Sequence, residues 1–196
     1  THCLAGHVNL PMVVPDEHTM RGTDPAEQPT LAAAMHYQEH EAGYSKQQST
    51  RPQTLAYSLA DSPAGQMAWI VEKYATWTDC VRDGVRHPEN AIGRNALLDI
   101  VTHYWMTNTG GSSAKLYWES FTEGDYRPVA LHIGLSIFPK ELFVCTERLA
   151  RTRYQQLVTF NDQHEAGGHF ASLEQPEALI GDIRAWRATL QEQRLI

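Results

Sequence analysis

Long apolar runs are missing from this 196-residue sequence: no stretch approaches the roughly 20 residues needed to span a bilayer, and no signal-peptide pattern opens the chain. Cysteine is scarce as well. Cys3, Cys80 and Cys145 stand far apart with no C-x-x-C spacing, which argues against a disulfide framework or a zinc ribbon and fits reduced thiols in a cytoplasm. Positive charge is in the minority, 16 basic against 23 acidic residues for a formal charge of −7, with no basic cluster, so no nucleic-acid partner is expected. Internal repeats and low-complexity segments are absent too. The chain lacks an initiator methionine, and Thr1 to Pro11 reads as a strand already under way, so further sequence is expected ahead of it. What the chain does have is 42% hydrophobic content, enough at this length for one domain with a substantial core.

Strand-like and helix-like patterns follow one another along the chain. After the first strand, residues 11–29 are rich in Pro, Asp, Glu and Gly and are expected to form a loop. Helical signals then dominate. Thr30 can cap a helix running through Leu31, Ala34, Met35 and Gln38 toward Gly43, and Pro52 can open a second short one. The clearest local start is Asp61-Ser-Pro-Ala64, where Ser62 or Asp61 can cap and Pro63 can take the first helical position, ahead of Met67, Ile70, Val71 and Tyr74 at helical spacing. Residues 79–93 read as a polar loop. Asn95 to Thr107 reads as a helix with Leu97, Leu98, Val101 and Trp105 on one face, broken by Gly110-Gly111 before a shorter helix through Leu116. Val129 to Phe138 is a nearly continuous apolar run, as in a strand covered on both faces, and Gln156 to Phe160 is a second such strand. Pro176 then opens a helix carrying Leu179, Ile180, Ile183, Trp186 and Leu190. The expected class is α/β, with a core strand in 1–11, a helical lid region over 12–128 and carboxyl-terminal core strands and helices over 129–196. A helical excursion of that size has the look of a lid on a parallel sheet's active edge, although a generic helical insert would give the same pattern.

Open parallel sheets carry their sites just past the carboxyl ends of their strands, and two loops here fall at such positions. Pro139 ends the first strand immediately before Lys140 and Glu141, and Gly167-Gly168 gives the backbone room for a sharp turn immediately before His169. A carboxylate that holds one imidazole nitrogen while the other takes a proton from water is the ordinary way to make a general base near neutral pH. The plain alternative is a pair of loop residues without a task, and spacing alone leaves both open. His36 and His40 could share a helix face, but no third ligand and no H-E-x-x-H accompany them, so no metal or other cofactor is expected.

Taken together, these residues resemble the epoxide hydrolases of the α/β-hydrolase fold, in the microsomal-type branch that includes juvenile-hormone and fungal enzymes. His7-Val-Asn-Leu-Pro11 is similar to the strand after that family's nucleophile helix, and Gly43-Tyr-Ser-Lys-Gln-Gln-Ser-Thr-Arg-Pro-Gln-Thr54 to the lid segment bearing one epoxide-activating tyrosine. Leu59-Ala-Asp-Ser-Pro-Ala-Gly65 with Ala68-Trp-Ile-Val-Glu-Lys73 resembles the next lid helix, and Tyr104-Trp105 with Ser112-Ser-Ala-Lys-Leu-Tyr-Trp-Glu119 the segment bearing the second tyrosine. Phe138-Pro-Lys-Glu-Leu142 resembles the acid loop and Gly167-Gly-His-Phe-Ala171 the histidine loop. Several motifs in one order, spread nearly end to end, make the likeness more specific than any lone motif.

The resemblance implies the carboxyl-terminal half of an α/β-hydrolase fold, with a helical lid inserted between parallel strands, and a small-molecule epoxide as substrate. It implies two steps: an aspartate attacks an epoxide carbon to form an ester while Tyr44 and Tyr117 donate to the ring oxygen, and His169 with Glu141 then activates water to hydrolyse the ester. Phe138, Leu142, Phe143 and Trp118 neighbour these positions and are expected to line an apolar pocket, whereas Tyr37, Tyr57, Tyr74 and Tyr104 read as ordinary packing tyrosines. The family's nucleophile sits on a strand-to-helix elbow, and Asp16, Asp24, Asp61, Asp79 and Asp99 all lack the small residues of such a turn. The expected partners are therefore the amino-terminal half that bears the nucleophile and, through an uncovered sheet edge, a second copy in a homo-oligomer. Three alternatives stand beside this reading. A serine esterase would need a Gly-x-Ser-x-Gly that does not occur, a dehalogenase has no use for paired tyrosines, and a binding protein could keep the pocket without the chemistry.

Overall fold

Apolar β-branched and leucine residues set the centre of the fold, at the strand Val129–Ser136. The computed structural model describes residues 3–121 and 126–196; the start of the expected first strand at Thr1 and His2, and residues 122–125 of the expected lid, lie outside them. The described chain divides into two units, one built from residues up to His36 together with Tyr126–Ile196, the other spanning Tyr37 onward through the helical region.

The first unit holds a three-stranded parallel sheet. Strands β1 (Ala5–Val8), β4 (Val129–Ser136) and β5 (Tyr154–Asn161) lie in that order, with β4 in the middle, Val8 opposite Leu135 and Ser136 opposite Asn161. The short strands β2 (Val81–Arg82) and β3 (Val85–Arg86) belong to the other unit. Alternation along β4 explains its apolar run. Ile133 and Leu135, with Ile137 beyond the strand, join Cys145, Leu149, Ala150 and Leu157 in the core. Gly134 and Ser136 point the other way. A Cβ on Gly134 would come within 2.6 Å of the His7 ring and 2.7 Å of the Trp186 indole, so glycine is what lets a helix lie close on this face. The covering elements are α8 (Glu147–Arg153), capped by the Thr146 hydroxyl, on the core side and α10 (Pro176–Glu192), which brings Trp186, on the other.

Residues 11–29, expected as loop, contain α1 (Glu17–Met20) and a 3-10 turn at Pro25–Glu27, capped by the side chains of Asp16 and Asp24. They run directly into α2 (Gln28–His36), so Thr30 lies inside that helix and buried rather than capping it. The stretch is fastened to α8. Glu27, 1% exposed, accepts from Arg148 Nε (2.8 Å) and the Thr146 hydroxyl (2.7 Å), and Arg148 Nη1 also reaches Asp16 at 2.7 Å. For that reason residues 12–36 pack with the sheet, and the helical unit begins at residue 37 instead of 12.

In the helical unit a π-helical turn (Tyr37–Glu41) leads into α3 (Gly43–Thr50), α4 (Pro52–Asp61) and α5 (Pro63–Trp77). The Ser62 hydroxyl caps α5 by accepting from Gly65 N at 3.0 Å. The expected polar loop after it contains the β2–β3 hairpin, turned by Asp83 and Gly84, both at positive φ. Then α6 (Arg94–Thr107) ends on the left-handed Asn108, and α7 (Gly110–Ser120) follows. Gly110 and Gly111 do not break a helix but open one. A Cβ on Gly111 would lie 2.8 Å from that of Ala56, so these glycines let α7 pack closely on α4. Among the described residues no helix is long and apolar enough to cross a membrane.

Candidate functional site

In the sheet unit, β4 and β5 end at Ser136 and Asn161, and the loops beyond them meet. Lys140 N donates to Gly167 O at 3.0 Å, forming an isolated parallel bridge that prolongs the strand pairing into both loops. Gly167 is at φ +107°, a conformation that favours glycine, and a Cβ there would strike Phe138 at 2.8 Å. The short helix α9 (Ala171–Glu174) starts two residues after His169. Glu141 turns back on the acid loop through its amide, which donates to Phe138 O at 3.1 Å.

This folding brings His169 and Glu141 together. His169 Nδ1 lies 2.6 Å from Glu141 Oε1, with the carboxylate side chain wholly buried and the imidazole 22% exposed. Oε1 also accepts from Leu142 N at 2.7 Å, while Oε2 is buried with no hydrogen-bond partner among the described residues. A buried carboxylate accepts only, so Nδ1 carries the proton and Nε2 is the basic nitrogen. A bond of this kind can orient the ring and would stabilise an imidazolium formed by protonation at Nε2.

The helical unit brings the two expected tyrosines together by itself. Tyr44 on α3 and Tyr117 on α7 have ring centroids 5.7 Å apart, edge to face. Tyr44 also packs on Trp77 at 5.1 Å, with Lys73 Nζ 4.8 Å from the phenol centroid, and Tyr117 stacks on Phe121 at 4.9 Å. Burial, then hydrogen bonding to Tyr37, pushes the Tyr44 phenol up from its ordinary value, and burial likewise raises Tyr117 against the opposing effect of Tyr44. Both therefore remain proton donors at neutral pH. Tyr37, expected as a packing tyrosine, sits at the start of the π-helical turn and hydrogen-bonds Tyr44.

The expected pocket residues fall in both units, Phe138, Leu142 and Phe143 in the sheet unit and Trp118 in the helical one. Phe138 is fully buried and stacks face to face on His164 at 4.1 Å, so it supports the loops and presents no surface to a ligand. Leu142 and Phe143 are half-buried beside Glu141. Trp118 is 48% exposed and opens into a cleft of about 590 Å³ lined by Thr50, Tyr57, Ser112 and Lys115, where neither Tyr44 nor Tyr117 is a wall. Adjacent helical positions are about 100° apart, which is why Trp118 cannot share the face of Tyr117. No group of three or more metal-ligating side chains is assembled among the described residues. Asp162, another carboxylate near the histidine loop, is exposed and takes the Gln163 amide.

No family model matches the chain. Individual proteins do. A protein of Stigmatella aurantiaca named as an epoxide hydrolase is 42% identical over 186 residues, 92% of this chain and 40% of that protein. Epoxide hydrolase 1 of Sus scrofa is 35% identical over 163 residues, 78% of this chain and 35% of that one. The solved epoxide hydrolase of Aspergillus niger superposes with a TM-score of 0.78 at 30% identity, over 95% of this chain and 46% of its own. The chain thus spans less than half the length of each. Shared sequence and shared fold place it in the epoxide hydrolase family of the α/β-hydrolase fold, over the carboxyl-terminal part of those proteins.

Proposed function

We propose that this chain supplies the base, its acid partner and the ring-oxygen donors of an enzyme that opens a small-molecule epoxide to a vicinal diol. The observation that carries the proposal is the buried Glu141 carboxylate on His169 Nδ1 at 2.6 Å, past the carboxyl ends of two adjacent parallel strands. An aspartate on a nucleophile elbow is needed as well. Residues 1–196 contain no such elbow, so the aspartate belongs to the remainder of the relatives' length, and residues 37–125 serve as the lid.

In the first step the aspartate oxygen forms a bond to an epoxide carbon as that carbon's bond to the ring oxygen breaks. Tyr44 and Tyr117 hydrogen-bond the departing oxygen, and one of them gives it a proton. In the second step His169 Nε2 removes a proton from water, the hydroxide adds to the ester carbonyl, and the adduct collapses with its hydroxyl proton passing to the departing alkoxide, which releases the diol and restores the carboxylate. The imidazolium proton then returns to the tyrosinate. Leu142 and Phe143, half-buried beside Glu141, are the candidate apolar contacts for the substrate on this loop.

A single turnover in ¹⁸O-labelled water tests this sequence. The ester route draws the diol's new oxygen from the protein carboxylate, so the first diol is unlabelled and the label enters the protein. Labelled diol in the first turnover means direct attack of water, and no diol at all from the intact enzyme leaves a binding protein.

A further inference from the structure

His169 is carried by an eight-residue stretch, 162–169, that leaves the end of β5, and its bridge to Lys140 is not its sole attachment. His164, within this stretch, places Nε2 2.8 Å from Asp182 Oδ2 on α10, and both side chains are largely buried. Asp182 is a hub. Its Oδ1 accepts from Asn161 Nδ2 at 2.8 Å, and Oδ2 also accepts from the Ser136 hydroxyl. Ser136 in turn lies 3.3 Å from His7 Nε2. With the Ser136 proton committed to the carboxylate, its lone pair accepts from His7. One carboxylate thereby ties α10 to the ends of β4 and β5, to the histidine loop and, through Ser136, to β1. These bonds hold Asp182 below the ordinary carboxylate range even though burial acts in the opposite direction.

The other side of His164 bears on the acid loop. Its ring lies flat on Phe138, 4.1 Å away with planes 6° apart, and Phe138 is the residue whose carbonyl receives the Glu141 amide. Asn161 Nδ2 is 3.3 Å from His164 Nε2, but two donors cannot bond each other, so the proton on Nε2 is directed to Asp182. His164 is therefore braced by a directional bond on one side and a flat stack on the other, between the roots of the two loops that present His169 and Glu141. Packing alone would be served as well by an apolar side chain, whereas a buried polar pair with one geometry selects one loop arrangement.

We propose that His164, clamped by Asp182, is a positioning residue that sets the aim of His169, an inference whose catalytic consequence rests on the function proposed above. Displacements of about 1 Å in a catalytic group can cost on the order of 100-fold in rate, so the brace is felt in the step that uses His169.

Two variants test it. His164→Phe keeps the stack on Phe138 and removes the bond to Asp182; His164→Gln keeps a donor and removes the stack. The first readout needs no epoxide: the low-field proton resonance of His169 Nδ1–H, assigned by its loss in His169→Gln, and its exchange rate with water. His164→Phe is expected to speed exchange about tenfold or more, with substantial restoration in His164→Gln. In the intact enzyme the same His164→Phe change should slow ester hydrolysis by about 10- to 100-fold while leaving alkylation unchanged. Should His164→Phe fail to fold, Asp182→Asn replaces it with the same expected results. Unchanged exchange and hydrolysis, even with a lowered melting temperature, would reduce the clamp to a stabilising staple and overturn the proposal, as would equal exchange in the Phe and Gln variants. Because the exchange arm involves no substrate, an inactive parent enzyme sinks the proposed function without deciding this one.

Discussion

Replacing Glu141 with glutamine removes the charge while keeping an acceptor for the donors that converge on the carboxylate. Two donors, Leu142 N at 2.7 Å and His169 Nδ1 at 2.6 Å, converge on Oε1, so the glutamine oxygen is held there. The NH₂ group then falls at the Oε2 position, which has no partner among the described residues and thus no bond to lose. The His169 tautomer survives and the ring keeps its direction. What is lost is the difference between a charge-assisted bond, about 1.5–3 kcal/mol, and a neutral one, about 0.5–1.5 kcal/mol, applied where the imidazolium forms. A loss of about 1–1.5 kcal/mol corresponds to a roughly 5- to 13-fold slower ester hydrolysis. The assay is rapid mixing of the intact enzyme with stoichiometric epoxide, resolving ester formation from ester decay by quenched mass spectrometry. Ester formation should be unaffected. Unchanged decay would show that Glu141 is not the acid partner, and a fall beyond about 10³-fold would show that the tautomer was lost and the placement of the amide is wrong.

Tyr44→Phe and Tyr117→Phe should each slow ester formation by about 10- to 100-fold and together nearly abolish it, with ester hydrolysis less affected; parent-like alkylation in both single variants makes them packing residues. Since burial raises both phenols, alkylation should not decline near pH ~10 as it would with ordinary tyrosines, while the helical unit should lose stability above that pH because the unfolded phenols ionise and the folded ones do not. Gly134→Ala should destabilise the sheet unit by about 1–3 kcal/mol in urea unfolding, from the overlap with His7 and Trp186. Arg148→Met strips the cation from buried Glu27, and because Arg148 is itself 41% exposed the loss should be about 1–3 kcal/mol, short of the ~3–5 kcal/mol of a fully buried pair. Arg148, with the Thr19 amide, also holds Asp16 well below the usual carboxylate range. That part of the stability is present above pH ~4 and fades as acid protonates Asp16, so the parent should lose more stability than Arg148→Met between pH 7 and pH ~2.

The apolar core strands and the Ser62 cap are the legible part of this chain. The run at Val129 and the Ser62-Pro63 start carry their structure in local pattern, and β4 and α5 lie where that pattern puts them. Helix α3 is nearly all polar and offers no periodicity; only the motif likeness marked it. Gly110-Gly111 does follow the end of one helix, but a glycine that admits a neighbouring helix differs from one that ends a helix only by its partner, here Leu59 for Gly110 and Ala56 for Gly111, 51 and 55 positions earlier. The 12–36 stretch packs with the sheet through Glu27 and Arg148, a contact across 121 positions that no spacing rule reaches. The Glu141–His169 pair could be read because each residue follows a strand end. His164 and Asp182 could not, since one lies in a loop and the other faces inward from an otherwise ordinary amphipathic helix.

The most direct measurement of the central claim is the intact mass of the His169→Gln enzyme after incubation with an epoxide. If His169 is the base for ester hydrolysis, alkylation proceeds and stalls, and the protein gains the mass of one epoxide per active site with no diol released. Unmodified protein with continued diol release would contradict the account.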